Sequence, residues 1–305
     1  MPEFAVPLLF GAVTLATPLV FAAVGEIIME KSGVLNIALE GTMLVAALAA
    51  ALVTYFTASP AAGLAAGVAA AVLFGLLFAL FAVGIQADQI VTGTAMNILA
   101  LGLTGVLYRS LFGFSGTRLA VAGFQPWPLP ILKDIPVIGT VLFSQNVLVY
   151  AALVLTLLSA LALKRTRTGL YLQAAGENPQ GAEVAGISVY RLRLLAIVTG
   201  SALCGLGGVF LVLVEGNTFV EGMTAGRGFI ALAIVILARW QPVRALVVAL
   251  VFGLASALQF QAQAIGIDVP YQLFLALPYI LTILFAMLVG RANVPAALAK
   301  PYIKE

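Results

Sequence analysis

Long apolar stretches alternate with short polar connections along the whole chain, and that pattern predicts membrane-spanning helices. Nine stretches qualify, at roughly 4–28, 36–57, 60–85, 90–112, 145–163, 194–214, 226–240, 243–264 and 270–290. A helix needs about 20 mainly apolar residues to cross the hydrocarbon core. A membrane β-barrel would instead show ~10-residue segments of alternating polarity, and stretches such as 61–85 do not alternate. The expected fold class is an all-α integral membrane protein of about nine helices, with eight to ten as the range. Ser59-Pro60, Gln241-Pro242 and Val269-Pro270 fall at helix starts, where proline costs least. Pro18 and Pro278 fall inside spans and predict kinks that neighbouring helices absorb.

Composition then closes off rivals. The 305 residues are 63% hydrophobic and 9% charged, against about 25% charged in a soluble domain. A net charge of +3, spread over 15 scattered Lys and Arg, makes no phosphate footprint, so nucleic acid is not an expected partner. One cysteine, Cys204 in the run 194–214, makes neither a disulfide nor a metal site and reads as a small packing residue. Histidine is absent, which removes His-based catalysis. There is no Gly-Lys dipeptide and hence no P-loop for nucleotide phosphates. Residues 1–5 lack the basic start of a secretory signal, so the first apolar run reads as a retained span.

Basic residues in the connections set the expected orientation. With the N-terminus outside, Lys31, Lys164, Arg165, Arg167, Arg191, Arg193, Arg239, Arg244, Arg291, Lys300 and Lys304 fall inside, 11 in all. Arg109, Arg118, Lys133 and Arg227, 4 in all, fall outside. The positive-inside rule therefore selects an outer N-terminus and an inner C-terminus. Two connections are long. The outer one, 110–144, carries Phe124-Gln125-Pro126-Trp127-Pro128-Leu129-Pro130, suited to packing at the membrane interface. The inner one, 164–193, contains Gly-Glu-Asn-Pro, with Asn178 as an N-cap, Pro179 at the first helical position and Gly186 as the stop. Such a short helix serves either as a spacer or as a docking surface.

Two segments repeat. Residues 36–43 and 217–224 both place Asn four residues before Glu-Gly and both lead into an apolar span. Five crossings separate them, so the repeat is antiparallel, an arrangement that recurs in transporters. Glu40 and Glu221 are the leading candidates for function, because a carboxylate within a span costs ~2.5–3.5 kcal/mol and usually faces a cavity or a partner. The competing reading puts them at helix entrances, capping backbone N–H groups. Asn36 and Asn217 either share that site or satisfy unwound backbone. Arg227 either pairs with Glu221, meets a polar solute, or snorkels to the interface. Asn97, deepest of the polar residues in the fourth span, suits an interhelical hydrogen bond. Gln259, Gln261 and Gln263 either line an entrance or lie at the interface.

Three motifs carry a family resemblance. GEIIMEKSGVLNIALEGTMLVAA at 25–47, TGLYLQAAGENPQGAEVAGISVYRLR at 168–193 and EGMTAGRGFIALAIVILARWQP at 221–242 resemble permease subunits of ABC importers of the branched-chain amino acid and simple-sugar type, most closely nucleoside importers. The resemblance implies one permease domain over 1–305, with a first half 1–163, a coupling segment 164–193 and a second half 194–305. It implies docking of a separate ABC ATPase, holding ATP and Mg, through Glu177, Asn178, Pro179, Ala182, Glu183 and Gly186. It further implies a second similar permease, in a heterodimer, an extracytoplasmic solute-binding protein, a bacterial inner-membrane location, and no cofactor or metal in this chain. Asn36, Glu40, Asn97, Asn217, Glu221 and Arg227 are then expected along the solute pathway. A sugar or branched-chain amino-acid permease and an ion-coupled secondary transporter remain the alternatives.

Overall fold

The computed structural model describes residues 2–113, 119–130, 132–264, 280, 283, 287 and 294–302. Apolar runs too long to be dissolved in water become helices whose backbone groups bond internally. Helix α1 covers Pro2–Lys31, α2 Leu39–Thr57, α3 Pro60–Ala79 and α4 Gln89–Phe112. A short α5, Ile138–Phe143, precedes α6, Val147–Arg165. The long connection after α6 folds as α7, Arg167–Glu177, and α8, Pro179–Val184. Then come α9, Val189–Phe210, α10, Arg227–Leu237, and α11, Pro242–Ala264. The last turns after α3 and α9, Leu80–Gly84 and Leu211–Gly216, widen into π-helix.

Among the described residues seven helices are long and apolar enough to cross a membrane, and these are Ala5–Lys31, Leu39–Thr57, Pro60–Gly84, Gln89–Phe112, Val147–Arg165, Val189–Gly216 and Pro242–Gln263. The seventh expected span, 226–240, is corrected. Only Arg227–Leu237 is helical, and its 11 residues rise about 16 Å, roughly half of a ~30 Å core. Positive φ angles at Arg239 and Trp240 turn the chain away before Pro242 starts α11. The ninth expected span, 270–290, lies outside the described residues apart from Ile280, Ile283 and Met287. Pro270 and Pro278 fall there too, as do Arg118, Arg291 and Lys304 of the charge count. Pro18 sits within a helix assigned without a break.

Helix α1 is the central post. It packs most extensively on α11 and α9, and also meets α10 and α6. The α2–α3 hairpin leans on α9, and α4 lies against α2. In the long connection after α4, β1, Leu119–Ala120, pairs antiparallel with β2, Thr218–Phe219. Core side chains are mostly small or branched, as in Ala22, Ala23, Val24, Ile27 and Ala46. Small residues let helix backbones approach when lipid gives no hydrophobic drive for association. Cys204 fits that reading: it is fully buried, and its thiol donates to the Leu39 carbonyl at 3.4 Å.

Candidate functional site: two interrupted helices and a coupling segment

Helix α1 ends at Lys31, yet α2 does not begin until Leu39. Between them the chain doubles back along α1. The Asn36 N–H donates to Oε1 of Glu26, ten residues earlier, at 2.8 Å. Non-helical backbone in a membrane interior must find partners within the protein, and polar side chains of α1, of α4 and of the linker itself supply them. Oε1 of Gln89 on α4 accepts from Leu35 N at 2.8 Å. The Asn36 side chain accepts from Ala38 N at 3.0 Å. Asn97 bridges to the same linker, accepting from Gly41 N at 2.8 Å and donating to the Ile37 carbonyl at 2.9 Å. The interhelical role expected for Asn97 is what these contacts describe.

A second interruption faces the first. Helix α9 ends in its π-turn, Asn217 takes a left-handed conformation at φ 48°, and the chain runs unwound until Arg227. Asn tolerates that conformation better than most residues. The N-terminus of α10 then meets the start of α2. Glu40 accepts from Gly226 N through Oε1 and from Gly228 N through Oε2, each at 2.7 Å. A carboxylate at a helix N-terminus satisfies orphan donors and the helix dipole together. The approach is close enough that a Cβ on Gly228 would lie 2.4 Å from the Glu40 nitrogen. Glu40 therefore caps backbone, though of a helix 186 residues away rather than its own.

The six expected pathway residues divide into two groups. Asn36, Glu40 and Asn97 are buried around the α2 start. Asn217, Glu221 and Arg227 belong to the segment entering α10. Of the alternatives open for Arg227, pairing with Glu221 is not the one adopted. Glu221 takes both of its oxygens to Arg109 at the end of α4, at 2.8 and 2.6 Å. Arg227 instead reaches Glu215 at 2.7 Å and the Met223 carbonyl at 3.0 Å. The hydrogen bonds from Arg109 hold the Glu221 carboxyl below the usual carboxylate range. Next to this pair, Tyr108 stacks at a tilt on Phe219, and Phe112 lies between Tyr108 and Tyr55.

Sequence reasoning missed Glu26 and Glu30. Both are buried, one turn apart on α1. Glu30 accepts from the Trp240 indole N–H, which pins the turn after α10 onto α1. The available signal was two acidic residues at i and i+4 in an apolar run with no basic residue before Lys31.

The segment between α6 and α9 folds as its local sequence predicts. Asn178 caps α8, accepting from Gly181 N at 2.9 Å, Pro179 is the first helical residue, and Gly186 turns the chain at φ 82°. Glu183 accepts from Val189 N at 3.2 Å and so caps the start of α9. Ala182 packs with Ala175, Val189 and Leu192. Glu177 accepts from Ala296 N at 3.3 Å. Apolar side chains remain on the outside of this platform, with Val184 91% and Leu170 64% exposed. A cavity of about 460 Å³ opens beside α8, lined in part by Glu177, Pro179, Gln180 and Lys300. Among the described residues no group of three or more His, Cys, Asp or Glu could hold a metal ion.

Interrupted apolar helices, joined through a buried polar linker, define a multi-pass membrane permease. Residues 8–287 match the family described as the branched-chain amino acid transport system / permease component. The chain belongs to this family, whose members are transport components of ABC transporters rather than enzymes. It is similar to the guanosine ABC transporter permease protein NupQ of Bacillus subtilis, at 37% identity over 95% of this chain and 94% of the relative. It is also similar to the nucleoside ABC transporter permease protein NupC of Lactococcus lactis, at 34% identity over 95% and 94%. A putative glucose ABC transporter permease protein of Haloferax volcanii is 34% identical over 87% of this chain and 80% of its own length. No solved structure matches.

Proposed function

We propose that the chain is the translocating subunit of an ATP-driven nucleoside importer. A second permease of the same family completes the pathway as a heterodimer, and a solute-binding protein delivers the nucleoside from outside. A separate ABC ATPase, carrying ATP and Mg, docks on α7 and α8. The protein sits in the bacterial inner membrane with its N-terminus outside and its C-terminus inside. In this reading 1–163 and 194–305 are halves of opposite topology in one domain, with 164–193 between them, and the unwound segment 217–226 together with the short α10 makes the seventh of nine crossings. The convergence of α2 and α10 at Glu40 is the observation that carries it. Two broken helices meeting head to head near mid-depth are the hinge of alternating access. Asn36, Glu40, Asn97, Asn217, Glu221 and Arg227 line or brace the pathway.

Glu177, Asn178, Pro179, Ala182, Glu183 and Gly186 form the ATPase contact, and the exposed Val184 and the adjoining cavity support that role. The nucleoside assignment draws on the two bacterial relatives, and the glucose relative keeps a sugar as the second reading. Purifying the assembled complex in lipid and measuring which solute stimulates ATP hydrolysis tests both. Nucleosides are expected to stimulate it. Stimulation by glucose alone would transfer the assignment to a sugar permease. Gradient-driven uptake by this chain without any ATPase would overturn the ATP-driven reading.

A further inference from the structure

One stretch near the C-terminus, 294–302, touches every element that meets at the coupling end of the molecule. Ala297 N donates to the Gly176 carbonyl at the end of α7, at 2.8 Å, and Ala299 N to the Gly33 carbonyl in the α1–α2 linker, at 3.2 Å. Ala296 N reaches Glu177, and the Tyr302 carbonyl accepts from Gln86 between α3 and α4 at 3.1 Å. The end of α7 itself rests on the linker, since a Cβ on Gly176 would lie 2.3 Å from the Lys31 carbonyl oxygen.

Arg193 of α9 anchors this junction. It is only 2% exposed, and it donates through Nε to the Ser32 carbonyl and through Nη1 to the Lys300 carbonyl, at 3.3 and 3.1 Å. Its Nη2 is buried with no acceptor among the described residues and faces Gly33. Burying a guanidinium with one nitrogen unsatisfied is costly, so this position holds parts together at the expense of stability. From Ser32 and Gly33 the chain runs directly into Asn36 and Glu40.

We propose that segment 294–302, anchored by Arg193, is a positioning strap that transmits movement of α7 and α8 into the α1–α2 linker, and through it to the meeting point of α2 and α10. The proposal rests on α7 and α8 being the ATPase contact. Its signature is a loss of coupling, not a loss of fold or of ATPase binding.

The test uses the complete transporter reconstituted in liposomes, reading ATPase association, ATP hydrolysis and solute moved per ATP. Deleting 294–305, or Arg193→Gln, should leave association and hydrolysis in place while solute moved per ATP falls roughly tenfold or more, within the span of ordinary coupling free energies. Arg193→Lys, which keeps a cation able to reach one of the two carbonyls, should recover much of that ratio. Should the deleted protein fail to insert, the Gln and Lys variants decide the matter alone. An unchanged ratio in Arg193→Gln, or uptake and hydrolysis falling in equal proportion, overturns the strap while leaving the ATPase contact standing. Failure of the unaltered chain to bind an ATPase overturns both.

Discussion

Glu40 places one oxygen on each of two N–H groups at the first turn of α10. Glu40→Ala leaves both donors buried and unpaired, at about 1–3 kcal/mol each. Its thermal midpoint in lipid nanodiscs should drop clearly, and Glu40→Gln, which keeps one acceptor oxygen, should drop less. Full stability in Glu40→Ala would mean that the carboxylate does not hold the two helices together. Gly228→Ala attacks the same contact from the other side, because its Cβ would intrude to 2.4 Å on Glu40 N. Overpacking of this kind costs roughly 1–3 kcal/mol, and the same melting measurement reads it. The composition rule for carboxylates within spans was enough to single out Glu40. Its partners were not legible, because Gly226 and Gly228 become neighbours only through long-range packing. The same holds for the ion pairs. Arg109 and Glu221 are 112 residues apart, and nothing in local spacing pointed from one to the other.

Elements whose signals are local were read almost residue by residue. Helix α8 is fixed by Asn178, Pro179 and Gly186, three residues whose backbone preferences act without tertiary help. Asn178→Ala should loosen that helix by about 1 kcal/mol, the usual worth of an N-cap, seen as faster amide exchange across 179–184. Replacing 177–186 with a Gly/Ser linker should abolish ATPase association while the chain still inserts, and retained association would sink the docking role. Helix α10 shows the opposite case. Its sequence is apolar from Gly228 through Ala238, and apolarity records solvent preference rather than length. What ends the helix is the left-handed turn at Arg239 and Trp240, with the Trp240 indole drawn back to Glu30 of α1. That contact lies 210 residues distant in sequence and leaves no periodic trace.

At the scale of the whole molecule, charge placement bears on what the pathway can accept. Helix N-termini meeting within a transporter ordinarily offer a seat to an anionic group of the solute. Here that seat is filled by the chain's own Glu40. Arg227, at the start of α10, and Arg109, near the end of α4, are each engaged by a glutamate. Arg193, which unlike those two is almost fully buried, is committed to the carbonyls of Ser32 and Lys300. An anionic solute entering past these groups would have to displace a resident carboxylate to gain a counter-charge. A neutral solute carrying hydroxyls and an aromatic ring needs no such exchange, and the Tyr108, Phe112 and Phe219 rings stand beside the Arg109–Glu221 pair. Uptake of a labelled nucleoside by the complete transporter should therefore be competed by unlabelled nucleosides and left unchanged by the corresponding monophosphates at equal concentration. Glu221→Gln frees the Arg109 guanidinium from its carboxylate, and should let a monophosphate begin to compete. Competition by monophosphates against the unaltered protein would show that Arg109 and Arg227 release their glutamates to solute, and the neutral-solute reading would fall.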